Sequence, residues 1–214
     1  MFNYKKTVQA INFFARKAGD RKKRLYKTSL LKLLYFADKK HLRDYLSTIS
    51  GDSYTAMQKG PVADNACDLI EAQANREEGE SEDVRYANEY TSSEKKMFRF
   101  GRDWGSKPIE IVSKKEVDER YLSETNLSVL EHVWEKCGDL DDLPEETHRY
   151  PEWKETFNKN HQWTSIQEDQ MISTTSDGRP DLLGDVSEEE LKDAREIYRE
   201  RINGLRSLGV NNGT

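Results

Sequence analysis

The stretch from residue 30 to residue 62 constrains the fold of this chain more than any other. It opens with the letters LLKLLYFADKKHL, in which apolar side chains recur at the three- and four-residue spacing of an α-helix. Two neighbouring apolar stripes result, one containing Leu34 and the other containing Tyr35. The pattern predicts a core helix that is capped by Thr28 or Ser29 and runs to about Leu46.

The residues after this helix predict a turn, a strand and a further helix. Ser50-Gly51-Asp52 is typical of a turn, and the run over 53–58 favours a short strand. Gly60-Pro61 is interpreted as a second turn that opens a helix over 63–77. Proline is tolerated in a first helical turn because the N–H group that it lacks would have no partner there.

Periodic apolar stripes and capping residues predict four further helices: 3–18, one that Ser123 caps, a short one that starts at Leu143, and 187–206. The alternation over 108–113 predicts a strand, and 95–104 fits either a partner strand or a helix. The ranges 76–93 and 161–186 are predicted to be irregular, the first as an exposed acidic loop. The predicted fold class is therefore α+β and predominantly helical: a helical core with a small antiparallel sheet and a C-terminal amphipathic helix.

A chain of 214 residues has the length of one large domain, or of one domain with an appendage. We predict a helical domain with a small sheet over 1–160 and a C-terminal extension over 161–214. The helix 187–206 in this extension carries a narrow apolar stripe that contains Leu191, Tyr198 and Leu205. Such a stripe needs a partner, either the domain core or another chain.

Charge is distributed unevenly along the chain. Residues 1–43 contain 13 Lys and Arg against 2 Asp, a net charge of +11, whereas the whole chain has a net charge of −6. The basic region 16–27 is the densest part of this excess. It is interpreted either as a surface that faces phosphate or nucleic acid, or as a solvated loop between two helices. No aromatic stacking platform is interleaved with it, and this favours the loop.

Other patterns exclude several classes of protein. No run approaches the ~18 apolar residues that a membrane span needs, and the N-terminal residues do not have the pattern of a signal peptide. The two cysteines, Cys67 and Cys137, predict reduced thiols rather than a disulfide framework. We therefore expect a cytoplasmic protein without a membrane partner.

No motif predicts a catalytic, metal or cofactor site. The sequence contains no CxxC, HExxH, GxSxG or glycine-rich phosphate loop. His132, Cys137, His148 and His161 have spacings that match no zinc motif. Cys137 and His132 make a weak dyad, because a helical spacing of five places them on different parts of the helix surface. We expect no enzyme activity, no cofactor and no metal.

For several residues the sequence leaves two roles open, a place in the core or contact with a partner. Asp38 interrupts an apolar helix, and a buried, paired aspartate is more often structural than catalytic. His148 and Trp153 either clasp a short helix onto the core or contact a partner, and the clasp is favoured. Tyr54 either faces the core or belongs to a recognition surface.

Taken together, these motifs resemble the Panacea domain of SocA-like antitoxins, a family related to phage-associated GepA proteins. The matching segments are KLLYFAD at 32–38, GDSYTA at 51–56, GPV at 60–62, the residues 122–124, the helix over 129–134, and Thr147-His148 followed by Trp153. Their order and spacing agree over about residues 5–157. The motif residues include Leu34, Tyr35, Asp38, Gly51, Asp52, Gly60, Pro61 and Thr147.

The resemblance implies an antitoxin of a bacterial or prophage toxin–antitoxin system, which neutralises a cognate protein toxin by direct binding. The candidate partner-binding residues are Tyr54, Lys59, His148, Trp153, Leu191, Tyr198 and Leu205. The terminal helix is expected either to dock onto the toxin or to join two copies of the chain. The acidic insertion at 76–93 and the tail at 161–214 depart from the family pattern, and we expect toxin choice to reside there.

An acidic antitoxin suits a basic toxin, because complementary charge raises the association rate. The alternative function is a DNA-binding regulator, including control of its own operon, that uses the basic region 16–27.

Overall fold

The computed structural model describes residues 1–77, 98–101, 108–158 and 163–208. The α-helices are α1 Tyr4–Asp20, α2 Lys27–Tyr45, α3 Asp64–Glu77, α4 Glu124–Cys137, α5 Leu143–Thr147, α6 Pro151–Thr156 and α7 Glu188–Ser207. The strands are β1 Tyr54–Met57, β2 Gly60–Ala63, β3 Phe98–Gly101, β4 Glu110–Ser113 and β5 Thr164–Ile166. The predicted α+β, predominantly helical class is confirmed. None of the described helices combines the length and apolar character needed to cross a membrane.

Helix α2 lies at the centre of the fold, in contact with α1, α3, α4, α5 and β2. Every residue from Leu30 to Arg43 except Lys40 is buried. The predicted helix is confirmed, but the predicted cap at Thr28 or Ser29 is wrong. The helix starts earlier, after Tyr26, because the carbonyl of Ile109 accepts the N–H of Lys27 at 2.8 Å and so satisfies a donor that a side-chain cap would otherwise satisfy.

The first sheet is antiparallel, with the strand order β2-β1-β5. The prediction that Gly60-Pro61 opens a helix is wrong, because these residues begin β2. Pro61 lies opposite Ala56 in the hairpin, and the two-residue turn Gln58-Lys59 joins the strands. Proline is tolerated there because β2 is an edge strand of the sheet. Helix α3 follows at Asp64.

The second sheet pairs β3 with β4, with Phe98 opposite Ser113. The strand alternative for 95–104 is therefore confirmed over residues 98–101, and the predicted strand at 108–113 is confirmed over 110–113. Most of the predicted acidic loop over 76–93 lies outside the described residues, as do His161 and residues 95–97 and 102–104.

The prediction that 161–186 is irregular is wrong at Thr164–Ile166, which forms β5 against β1. Met171, Ile172 and Leu183 are buried in the same hydrophobic core as α2. The capping box at Ser187 is confirmed, and α7 runs from it across the core. The described parts of 1–160 and 161–214 thus share one core, and their division into two units stays a prediction.

Replacing Gly60 by alanine tests the start of β2. Gly60 has φ +91°, and an added Cβ would clash with Oγ1 of Thr147. We expect Gly60→Ala to lower the free energy of unfolding by about 1–3 kcal/mol, measured by urea denaturation. The control is Gly204→Ala in α7, where an added Cβ meets nothing within 4 Å. It should leave stability unchanged or raise it by about 0.5–1 kcal/mol. Equal losses in both variants would contradict the strained position of Gly60.

Candidate functional site

A cavity of about 460 Å³ opens between the first half of α2, the β1–β2 turn and α3. We call it the Lys32 cavity. Its apolar wall includes Leu31, Met57 and Val62, and Trp163 lines it while 75% of its surface is exposed. The volume lies in the ~300–1,000 Å³ range of ligand pockets, and it exceeds the cavity of about 180 Å³ beside α1.

Lys32 lines this cavity but exposes only 1% of its surface, so it belongs to the floor rather than to the rim. Its Nζ donates a hydrogen bond to the carbonyl of Pro61 in β2. Among the described residues, no carboxylate lies within 4.0 Å of this ammonium group. Burial lowers the pKa of Lys32 to about 7, and the neighbouring Cys67 opposes this shift.

The α3 side of the cavity carries a thiol and an ion pair. Lys27 forms an ion pair with Glu71, and its Nζ lies 3.9 Å from the Sγ of Cys67. Burial raises the pKa of Cys67 to about 11, although Lys27 opposes this shift. The thiol is therefore protonated at neutral pH, which makes it a poor nucleophile.

A stack of three rings lies behind the β1–β2 hairpin. The rings of His148 and Trp153 are stacked with centroids 3.7 Å apart, and Phe157 continues the stack at 4.9 Å. Nε1 of Trp153 donates a hydrogen bond to the carbonyl of Met57 at 2.8 Å. This geometry ties α6 to the end of β1, as in the clasp that the sequence favours over direct partner contact.

His148 ends this stack in a partly buried position. Its Nε2 has no hydrogen-bond partner among the described residues. Burial lowers the pKa of His148, and the ammonium of Lys32 adds to this effect while Glu145 opposes it. His148 therefore favours its neutral form near pH 7.

Asp38 and Tyr54 lie inside the core and bond to each other. Asp38 accepts hydrogen bonds from the backbone N–H groups of Ile49 and Ser50 at 2.8 and 2.9 Å, and from the hydroxyl of Tyr54 at 2.7 Å. Burial raises the pKa of Asp38 against the opposing effect of these bonds. Tyr54 is 1% exposed and, unlike Lys32, lines neither of the two cavities, so its side chain is a core contact.

The remaining turn residues of the motif set support α3 and the N-terminus. Asp52 accepts hydrogen bonds from the backbone N–H groups of Asn65 and Ala66, both at 2.9 Å, and so satisfies two donors in the first turn of α3. Gly51 has φ +63°, and an added Cβ there would clash with the carbonyl oxygen of Met1.

The other candidate contact residues are placed in different environments. Lys59 is exposed in the β1–β2 turn and lines the Lys32 cavity. Leu191 and Tyr198 of α7 are 1% and 7% exposed and pack on the core, whereas Leu205 is half-buried. The structure thus brings only Lys59 of this set to the cavity. Lys32 and Trp163 were missed by the sequence reasoning.

Most basic side chains of the region 16–27 form ion pairs with carboxylates. These basic side chains each lie within 4.0 Å of an aspartate or glutamate: Arg16, Lys17, Arg21, Lys23, Arg24 and Lys27. Arg21 also lies over the ring of Trp134, with its guanidinium carbon 5.3 Å from the ring centroid. These ion pairs reduce the positive potential that a nucleic-acid surface needs.

Comparison with known protein families shows the family of the chain. The family model described as Antitoxin SocA-like, Panacea domain, matches residues 30–154, which is more than half of the chain. The chain belongs to the SocA-like antitoxin family. The matched Panacea domain includes α2 from residue 30 onward, the β1–β2 hairpin, α3 and most of the wall of the Lys32 cavity that these elements form. No curated protein and no solved structure matches the chain.

The buried ammonium predicts a dependence of stability on pH. The pKa of Lys32 is about 7 in the folded chain, against 10.5 for an ordinary lysine. Between these values the unfolded chain binds more protons, so the free energy of unfolding rises with pH. We expect Lys32→Met to remove a rise on the order of 1–2 kcal/mol between pH 7 and 8.5, measured by urea denaturation.

The matched control is Lys40→Met, because Lys40 is on the same helix but forms an ion pair with Asp44 at 2.9 Å. This variant should keep the dependence of the wild-type chain. The pH window lies below the raised pKa of Cys67 and above the lowered pKa of His148. Burial also lowers the pKa of Lys39 to about 8, and its contribution is common to the wild-type chain and both variants. A Lys32→Met variant with an unchanged slope would show that Lys32 is charged throughout this window.

Proposed function

We propose that this chain is an antitoxin that neutralises a cognate protein toxin by direct binding. The observation that carries the proposal is the match of the SocA-like antitoxin family over residues 30–154. The proposal includes a cytoplasmic location, where the antitoxin would meet its toxin.

The interior of the chain supports a binding role rather than a catalytic one. Lys39 and Glu152 form an ion pair at 2.6 Å with both side chains 0% exposed. Arg43 and Asp181 form a second pair at 2.8 Å, also in the interior. These ionisable groups are held in structural contacts and do not face solvent, where a substrate would meet them.

The surface around the Lys32 cavity has the composition of an interaction site. Trp and Met are enriched in protein interfaces, and here Trp163 and Met57 lie beside the apolar side chain of Val62. The exposed Lys59 and the carboxylates of α3 give this apolar wall a polar rim. Of the candidate contact residues, Lys59 therefore has the position that suits toxin binding best.

The apolar stripe of α7 packs mainly on the core and does not face a partner. Leu191 and Tyr198 are covered by the core, so a toxin or a second copy would contact the outer face of α7, where Ile197 is 54% exposed. A homo-oligomer through this helix stays a proposal. DNA binding by the region 16–27 stays a prediction, and the ion pairs of that region do not favour it.

Co-expression tests the antitoxin proposal. Each open reading frame beside the gene is induced in a bacterial host, alone and together with this chain. We expect one neighbour to stop growth alone and to be tolerated together, and we expect the two proteins to elute as one complex in size-exclusion chromatography. The control is the same plasmid with an early stop codon in this chain. Toxicity that this chain does not relieve, or the absence of any toxic neighbour, would contradict the proposal.

A further inference from the structure

The buried charged residues of α2 have different kinds of partner. There are four of them: Lys32, Asp38, Lys39 and Arg43. Lys39 and Arg43 each meet a carboxylate, and Asp38 accepts several hydrogen bonds. Lys32 has its one hydrogen bond to the neutral carbonyl of Pro61 within the described part of the chain. A buried ammonium without a counter-ion is unfavourable, and an anion that entered the site would relieve this.

We propose that the Lys32 cavity is the docking site for an apolar segment of the toxin that carries a carboxylate, and that Lys32 receives this carboxylate. The inference rests on the proposed function, because it names the surface through which the antitoxin contacts its partner.

The apolar wall of the cavity specifies the character of the occupant. Leu31, Met57 and Val62 line it, and the ring of Trp163 is largely exposed beside them. Covering such side chains gives favourable free energy only if the occupant is itself apolar. Aromatic and methionine side chains are also typical anchors of protein interfaces.

The charges of the cavity favour a carboxylate over a phosphate. Lys27 and Glu71 line the cavity as an ion pair and offset each other. Of the other charged residues, Lys32 and Lys59 lie on the α2 and turn sides, whereas Asp64 and Asp68 lie on the α3 side. A multiply charged phosphate or nucleotide would be repelled by these two carboxylates. A singly charged group on an apolar chain would meet Lys32 at the floor of the cavity while the apolar part of the chain covered the wall. An aspartate or glutamate beside apolar residues in a protein segment has this chemistry.

A pair of small probes tests the site without knowledge of the toxin. The probes are 4-phenylbutyrate and 4-phenylbutyramide, which differ only in the charged group. Binding to the full chain is followed by NMR shift changes at pH 6, where Lys32 is protonated. We expect the acid to bind at least about tenfold more tightly than the amide, with shifts at residues of the cavity.

Three variants distinguish the contribution of the Lys32 charge to probe binding from that of the apolar wall. Lys32→Met should abolish the preference for the acid, whereas Lys40→Met, on the same helix but outside the cavity, should retain it. Val62→Phe narrows the cavity without changing its charge and should weaken both probes alike. Thermal unfolding of each variant shows that it is folded. Absence of binding, equal binding of the two probes, or a preference that Lys32→Met retains would overturn the inference.

The same variants link the cavity to the toxin. In the co-expression assay, Lys32→Met should lose neutralisation while Lys40→Met keeps it. If Lys32→Met neutralises a toxin as well as the unchanged chain does, the inference is wrong and the proposed function stands. If no neighbouring protein is neutralised but the acid preference depends on Lys32, the antitoxin proposal fails and the carboxylate site stands.

Discussion

The burial of α2 from Leu30 to Arg43, apart from Lys40, is the constraint on which the rest of the structure depends. Asp38, Lys39 and Arg43 in the buried part of this helix have no route to solvent, so the segments packed around them supply their partners. Lys39 meets Glu152 of α6 and Arg43 meets Asp181, while Asp38 holds the loop before β1. Buried ion pairs add little net stability, but breaking one is costly. The charges of α2 therefore select which segments pack against it.

The elements with strong local signals are predictable from the sequence, and those that depend on distant pairing are not. Helix α4 follows from the cap at Ser123, and α7 from the capping box at Ser187, because each signal lies within four residues. Gly60-Pro61 misleads, since proline suits both a first helical turn and an edge strand. Strand β5 has only three residues and exists through its pairing with β1, about 110 positions earlier, which no local pattern contains.

The residues of the candidate site also divide into those that a local sequence pattern predicts and those that it does not. Lys59 could be expected at a turn from the motif around it, but Lys32 could not be expected in a cavity floor, because a lysine on a helix is usually solvated. The available signal is the absence of a polar face. In the letters LLKLLYFADKK, two leucines stand on each side of Lys32. A rotation of the helix that turned Lys32 to solvent would therefore also expose apolar side chains. The position of Trp163 depends on β5 and has no local signal.

Under the proposed function, the ammonium of Lys32, which meets no carboxylate among the described residues, would link the stability of the chain to the binding of its partner. The folded chain loses free energy by burying Lys32, and a bound carboxylate would restore part of it, so the complex would be more stable than the free protein by mass action. Substitutions that stabilise a protein at such a position commonly weaken its function. The proposed binding of a carboxylate would account for a lysine at a buried position where an apolar residue would pack better. The other charged residues of α2 need no such account, because the chain itself supplies their partners.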